Sequence, residues 1–111
     1  MFNFNRPTDP NKLSPNFHLS EMTISAAAAR AGVSNVPPQA TLAIMRQTAA
    51  RMEEVRRLLG NLPIIITSCY RSPAVNKLVG GSATSAHMTG HAVDFTCPKF
   101  GTPAQVAARG D

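Results

Sequence analysis

The 111-residue sequence has no tryptophan, one tyrosine and two cysteines, and charged residues make up only 15% of it. So few aromatic side chains argue against the row of base-stacking platforms found in many nucleic-acid-binding proteins. The eleven Lys and Arg residues are scattered, with Arg56 and Arg57 the only adjacent pair, which also argues against a nucleic-acid partner. Two cysteines are too few for a disulfide framework, so we predict that Cys69 and Cys97 are reduced thiols. No apolar run approaches the roughly 20 residues of a membrane span.

The rest of the composition is typical of one folded domain. Hydrophobic residues make up 43% of the sequence, too many for a disordered chain, and 111 residues is an ordinary domain length. Three prolines within residues 1–16 indicate an extended lead-in, which leaves residues 17–111 as a single domain. The lead-in lacks the apolar stretch of a secretory signal, so we expect synthesis in the cytoplasm. The formal net charge of +5 favours an anionic partner such as nucleic acid, acidic lipid or cell-wall polymer.

Apolar periodicity predicts helices in the first half of the domain. The clearest helix covers residues 39–60, where one stripe recurs at three- and four-residue steps: Leu42, Met45, Ala49, Met52, Val55 and Leu59. Glu53 and Arg57 stand four residues apart on the polar side and are expected to pair. An earlier helix is expected to begin with Ser20 as its cap and to end at Gly32.

Two strand patterns follow in the second half. Residues 64–68 are mostly β-branched and follow Pro63, which predicts a buried strand. Residues 92–96 alternate between apolar and polar side chains and predict a second strand. Helices followed by a small sheet indicate an α+β fold, with amino-terminal helices packed on a small antiparallel sheet.

The segment SAHMTGHAVDF, residues 85–95, holds two of the three histidines and one of the six acids. Strand alternation places Asp94 on the face opposite its apolar neighbours, and Gly90 permits a tight turn that brings His87 over that same face. An imidazole and a carboxylate that converge on open space suit zinc, which takes nitrogen and oxygen ligands. A hydrogen-bonded surface pair is the ordinary alternative, and the spacing alone does not decide between the two.

The other two histidines are poorly placed to join this pair. His91 falls on the opposite side of the strand from Asp94, so we predict an exposed histidine or one that supports the ligands. His18 lies far upstream in a helix-capping region and is expected to be structural or solvated.

The pattern Ser85-x-His87-x-x-Gly90-x-Ala92-x-Asp94 resembles the SxHxxGxAxD signature of the zinc D-Ala-D-Ala carboxypeptidase family, which includes phage endolysins and has a hedgehog-like fold. Upstream, ITSCYRSPAVNKLVGGSATSAH is similar to the TSGYRSPxxNxxVGGxxxSxH segment of its small phage and prophage members. The stretch FHLSEMTISAAAARAGVSNVPP is similar to their amino-terminal region. The similarity runs from near residue 17 to the end of the sequence.

This resemblance implies roles for four residues. His87 and Asp94 match the first two zinc ligands, so Zn²⁺ is the implied cofactor. Arg71 matches an arginine that holds a substrate carboxylate or the developing oxyanion, with a loop-tying salt bridge as the structural alternative. Ser85 matches a serine that supports the site or contacts substrate, with a plain turn serine as the alternative. The implied activity is zinc-dependent cleavage of peptidoglycan stem peptides, of carboxypeptidase or endolysin type, by a phage-encoded protein acting on the cell wall.

The sequence departs from the family pattern in two places. Cys69 stands where the family often has glycine, and we expect a change in local packing rather than a ligand. The family's third zinc ligand is a histidine in a carboxyl-terminal WxH-type strand, with the general base nearby. No histidine follows His91 here, and Asp111 is the only acid after Asp94. We therefore expect a chain truncated before the last strand.

Two functional hypotheses follow from this mixture of match and departure. The first is a zinc peptidase represented by an incomplete chain. The second is a non-catalytic remnant or cell-wall-binding module that keeps the fold. In either case a missing strand would expose a sheet edge and favour self-association.

Overall fold

The computed structural model describes residues 11–110. Its strands are β1 Lys12–Ser14, β2 Phe17–His18, β3 Ile65–Ser68 and β4 Asp94–Thr96. Its helices are α1 Leu19–Met22, α2 Ala26–Ala31, α3 Gln39–Leu58, α4 Pro73–Leu78 and α5 Pro103–Gly110, with a turn of 3-10 helix at Ala86–Thr89. Within this range the helices and the paired antiparallel strands, β1 with β2 and β3 with β4, confirm the predicted α+β class.

α3 is the helix that the apolar periodicity predicted, and it forms the centre of the core. Its apolar stripe buries Met45, Ala49 and Met52 against the first hairpin and β3. Pro38 is the N-cap of the helix, where its missing N–H costs nothing. The helix ends at Leu58 because the chain turns at Gly60, which adopts a φ of 79°.

The helix predicted over residues 20–32 is in fact two helices. Ser25 begins α2, because its Oγ accepts a hydrogen bond from the backbone N–H three residues on, at 3.1 Å. Gly32 ends α2 with a φ of 66°, as predicted. The N-cap of α1 is His18, whose N–H donates to the Glu21 carboxylate at 2.7 Å, rather than the predicted serine.

The hairpin of β1 and β2 is fastened to α3 by Glu53. The Glu53 carboxylate accepts hydrogen bonds from Ser14 Oγ at 2.6 Å, Asn16 N at 2.7 Å and Asn16 Nδ2 at 2.8 Å. Partial burial raises the pKa of Glu53, but these hydrogen bonds and the charge of Arg56 together outweigh burial and lower it from its ordinary value. Residues 1–10 of the expected lead-in lie outside the described residues, and its last part supplies β1.

The predicted ion pair between Glu53 and Arg57 is wrong. Glu53 turns toward the hairpin because three hydrogen-bond donors converge on it there. Arg57 instead lies 3.8 Å from Glu54 on the exposed surface of α3. The local spacing along the helix allowed either partner, and the tertiary contact decided between them.

β3 and β4 form the antiparallel pair that carries Asp94. Ile66 pairs with Phe95 and Ser68 with Asp94, with a bulge between Ile66 and Ser68. Both strands lie within the predicted residues, but β3 is not buried throughout, since Ile66 is 7% exposed and Ile65 is 52% exposed. Asp94 is exposed while Phe95 packs on the core, so the predicted alternation along β4 is confirmed.

A second apolar cluster joins α5 to the end of α3. Leu59, Cys97 and Val106 are its buried members. Cys97 and Cys69 are both buried and form no disulfide in the described structure. Among the described residues, no helix is both long and apolar enough to cross a membrane.

Candidate metal centre

His87 lies on the turn of 3-10 helix at Ala86–Thr89, just before the glycine that was predicted to permit a tight turn. Ser85 begins this turn, since its Oγ accepts a hydrogen bond from His87 N at 3.2 Å. Gly90 ends the turn with a φ of 83°, a conformation that favours glycine. The turn returns the chain to the sheet and leaves His87 only 9% exposed.

The ring of His87 is oriented by the backbone of Cys69. Nδ1 of His87 lies 2.6 Å from the Cys69 carbonyl oxygen. A carbonyl oxygen only accepts, so Nδ1 must carry the proton and donate. In the neutral ring this leaves the lone pair on Nε2 free. Histidines that bind metals are held in this way, by a hydrogen bond from the other ring nitrogen.

Nε2 of His87 faces Asp94. The distance from Nε2 to Oδ2 of Asp94 is 3.3 Å, and the Asp94 side chain is 65% exposed. Two ligand atoms at about 2.1 Å from a tetrahedral zinc ion lie roughly 3.4 Å apart, so the observed spacing fits a shared metal. An ion pair is the alternative, and it requires a second proton on the His87 ring. The structure thus brings together the two residues that the sequence predicted as ligands.

α3 holds the turn between these two side chains. The Gly90 carbonyl accepts a hydrogen bond from Thr48 Oγ1 at 2.7 Å in the protein interior. A Cβ atom at position 90 would lie 2.8 Å from Cγ of Met45, so this close approach also requires glycine. Sequence reasoning missed Thr48. The available signal was its spacing, three residues after Met45 and four before Met52, which places a hydroxyl on the buried face of the helix.

The backbone of Arg71 contacts the backbone of His87. Its N–H donates to the carbonyl oxygen of His87 at 3.1 Å. Its Nε is buried and has no hydrogen-bond partner among residues 11–110. Within the same residues Arg71 forms no ion pair, so the salt bridge considered as its structural alternative is not found. A buried N–H without a partner is costly, and an anion bound beside it would remove that cost.

Ser85 has a structural role that the sequence did not specify. Its half-buried hydroxyl accepts the hydrogen bond from His87 N, so it supports the turn that carries the ring. Contact between Ser85 and a substrate stays a prediction.

The other histidines and Cys69 do not join the pair. His91 is exposed, with Nδ1 2.6 Å from Thr89 Oγ1, and His18 is exposed at the start of α1. Burial, together with a smaller effect of the Asp94 charge, raises the pKa of the Cys69 thiol to about 11, although a hydrogen bond from the Tyr70 backbone lowers it. Cys69 is 1% exposed and packs in the main apolar cluster. In the described part of the chain, no group of three or more His, Cys, Asp or Glu residues is arranged to hold a metal.

A groove of about 480 Å³ runs beside Asp94, between the end of α3, β4 and α5. Most of its lining is apolar, including Val55, Leu58, Val93, Phe95, Pro103 and Val106. Its polar lining residues are Thr67, Asp94 and Thr96. Among His87, Asp94, Arg71 and Ser85, Asp94 alone lines the groove, which therefore offers space beside one of the two candidate ligands.

Comparison with known proteins gave two matches. The sequence model of the family described as Peptidase M15 matches residues 15–109, which is most of the chain. The chain is also 38% identical over 48 residues to the zinc D-Ala-D-Ala carboxypeptidase of Streptomyces albus G. That match covers 43% of this chain and 19% of the relative, so the chain spans much less than the whole of that protein. No solved structure matches the chain.

Proposed function

Because this chain belongs to the peptidase M15 family, we propose that it is a zinc-dependent peptidase whose metal is held by His87 and Asp94. The observation that carries the proposal is the 3.3 Å distance between Nε2 of His87 and Oδ2 of Asp94. The hydrogen bond from His87 to Cys69 supports it, because it leaves Nε2 free to bind a metal. The choice of zinc is supported by the name of the relative from Streptomyces albus G.

Zinc in a peptidase polarises the scissile carbonyl and lowers the pKa of water at the site. The residues of this chain would orient the substrate around that chemistry. Arg71 is proposed to hold a substrate carboxylate or the oxygen that becomes negative during hydrolysis, because its buried Nε lacks a protein partner. Ser85 supports the turn that carries His87, and a contact between its hydroxyl and the substrate is part of the proposal.

The proposed substrate is a peptidoglycan stem peptide ending in D-Ala-D-Ala. The name of the matched relative supports this substrate class, and a planar guanidinium suits a terminal carboxylate. The net charge of +5 also favours approach to an anionic cell wall. An endolysin that cuts within the stem is the other form of this proposal.

One observation favours a second candidate, a wall-binding module without catalytic activity. A catalytic zinc site normally has three protein ligands and one open position. The described residues bring two together, and no third His, Cys, Asp or Glu joins them. Such a pair would hold zinc weakly, and turnover would need a third group to complete the site.

Zinc titration calorimetry tests the ligands. We expect one weak site that EDTA empties, and an affinity lowered by more than about tenfold in His87→Ala and in Asp94→Asn. His91→Ala is the matched control, since it removes an exposed histidine from the same segment. Equal loss in His91→Ala, or unchanged binding in His87→Ala, would contradict the proposed ligand pair.

Release of D-alanine from an acetylated Lys-D-Ala-D-Ala peptide tests the activity. Zinc-dependent release that is absent in His87→Ala would support a peptidase. Peptide binding without release, under conditions where zinc is bound, would favour the wall-binding module.

A further inference from the structure

Asn35 makes three hydrogen bonds from the connector between α2 and α3. Its Nδ2 donates to the carbonyl oxygens of Thr23 at 2.7 Å and Tyr70 at 3.0 Å. Its Oδ1 accepts from the N–H of Ser72 at 2.8 Å. The side chain is half-buried and bonds only to backbone groups in these contacts. No sequence pattern assigned a role to Asn35.

Two of these contacts lie on either side of Arg71. Asn35 binds the carbonyl oxygen of the residue before Arg71 and the N–H of the residue after it. A side-chain amide can do this because it carries both donors and an acceptor on one planar group. Aspartate has the same shape but no donor when ionised, and alanine has neither group.

The backbone around Arg71 has further fixed contacts. Tyr70 N donates to the carbonyl oxygen of Met22 at 2.9 Å, and Arg71 N donates to that of His87 at 3.1 Å. Ser72 Oγ donates to the carbonyl oxygen of Ser34 at 3.1 Å. The Arg71 side chain differs, since its buried Nε has no partner among residues 11–110. The Arg71 backbone is therefore fixed while its guanidinium has no protein partner in the described structure, as expected for a group that is positioned to bind a ligand.

We propose that Asn35 is a positioning residue, which holds the Arg71 backbone so that the guanidinium meets the carboxylate of the substrate. This inference rests on the proposed function, because that proposal gives Arg71 its substrate contact. The alternative is that Asn35 only anchors the connector to the end of β3. The two differ in whether the loss of Asn35 changes recognition of a carboxylate.

The test compares two probes, acetyl-D-Ala-D-Ala and the same dipeptide with a carboxamide end, in an NMR titration of zinc-free protein. Wild-type protein should bind the carboxylate roughly tenfold more tightly than the carboxamide, as expected for one charged hydrogen-bonded contact. Arg71→Ala should abolish this preference. Asn35→Ala should reduce it to near the Arg71→Ala value, and the double variant should lose nothing more, since the two residues act as one unit.

Two further variants separate positioning from folding. Asn35→Asp keeps the acceptor for Ser72 N but places a carboxylate oxygen against the carbonyl oxygens of Thr23 and Tyr70, which repel it. This variant should therefore also lose the preference for the carboxylate probe.

Asn16→Ala is the control, because Asn16 binds Glu53 through a side-chain donor between β1 and β2 and has no contact with the Arg71 backbone among the hydrogen bonds of residues 11–110. It should leave the preference intact. Amide hydrogen exchange at Ser72 should accelerate in Asn35→Ala and stay unchanged in Asn16→Ala.

Retention of the carboxylate preference in a folded Asn35→Ala variant, with its loss in Arg71→Ala, would overturn the positioning role alone. Unchanged exchange at Ser72 in Asn35→Ala would also overturn it. A wild-type protein without any preference would instead remove the substrate role of Arg71, and the inference with it. The failures of the two proposals are therefore distinguishable.

Discussion

The carbonyl oxygen of Cys69 lies 2.6 Å from Nδ1 of His87, so the backbone that follows β3 sets which nitrogen of this ring faces Asp94. The contact uses the main chain of Cys69 and leaves its thiol in the core. The side chain at position 69 therefore does not supply the group that orients the ring.

Cys69→Ala should keep zinc affinity and lower stability. The backbone carbonyl remains in the variant. Loss of the buried sulfur leaves a small cavity, which should lower the free energy of unfolding by about 1–2 kcal/mol. Calorimetric zinc titration and chemical unfolding measure the two effects separately. Cys97→Ala is the matched control, because Cys97 is equally buried but lies in the second cluster. A large loss of zinc affinity in Cys69→Ala alone would make the thiol a ligand.

Gly90→Ala should destabilise the protein more than Gly80→Ala. Both glycines have positive φ, 83° and 72°, so both variants carry the strain of about 1 kcal/mol for a left-handed alanine. A Cβ at Gly90 would also meet Met45, while nothing lies within 4 Å of one at Gly80. We expect a further 1–3 kcal/mol, roughly, from that overpacking. Equal unfolding midpoints for the two variants would contradict the close packing of α3 on this turn.

Stability should fall at acid pH as Glu53 becomes protonated. The pKa of Glu53 is lowered in the folded protein, so its contribution is fully present above the ordinary glutamate pKa and is lost as pH falls through the lowered value. Glu53→Gln should lower the free energy of unfolding by about 1 kcal/mol at neutral pH, because it replaces a charged acceptor. The difference should be smaller at acid pH, where Glu53 is itself neutral. Urea unfolding across this pH range measures the difference. Glu54→Gln, which removes an exposed partner of Arg57, should change stability by less than about 0.5 kcal/mol.

In any form of the protein that hydrolyses peptides, Arg71→Ala should lower the rate of hydrolysis far more than it lowers the free energy of unfolding. A positioned donor to a developing negative charge contributes roughly a hundredfold or more in rate. The folded state loses little, because Nε of Arg71 has no partner in the described structure. Arg71→Lys should not restore the rate, since lysine lacks the planar fork. A large drop in melting temperature with normal hydrolysis would assign Arg71 a structural role.

The protein should self-associate through the sheet of β3 and β4. In the described residues each of these strands pairs only with the other, and Ile65 on β3 is 52% exposed. Unpaired strand edges with exposed apolar side chains pair with other chains. Light scattering should show a mass that rises with concentration and falls in Ile65→Lys. Ile24→Lys replaces an equally prominent apolar side chain outside any strand, and it should have no effect.

Features encoded within a few consecutive residues could be predicted from the sequence. The apolar stripe determined α3, and alternation through Asp94 determined which side chains of β4 face the core. Gly90 determined that the chain turns between His87 and Asp94, which brings these two side chains together. Each of these features depends on local backbone geometry and on the separation of apolar from polar faces, and both can be read from spacing.

Only the tertiary structure decided the partners that lie far apart in the sequence. Cys69 meets His87 across 18 residues, Asn35 meets Ser72 across 37, and Thr48 meets Gly90 across 42. Glu53 was assigned the wrong partner for the same reason, since its neighbours on the helix and the distant hairpin are both chemically suitable. A backbone carbonyl or a side-chain amide has no periodicity, so its partner is chosen by how α3, the connector and the sheet pack together.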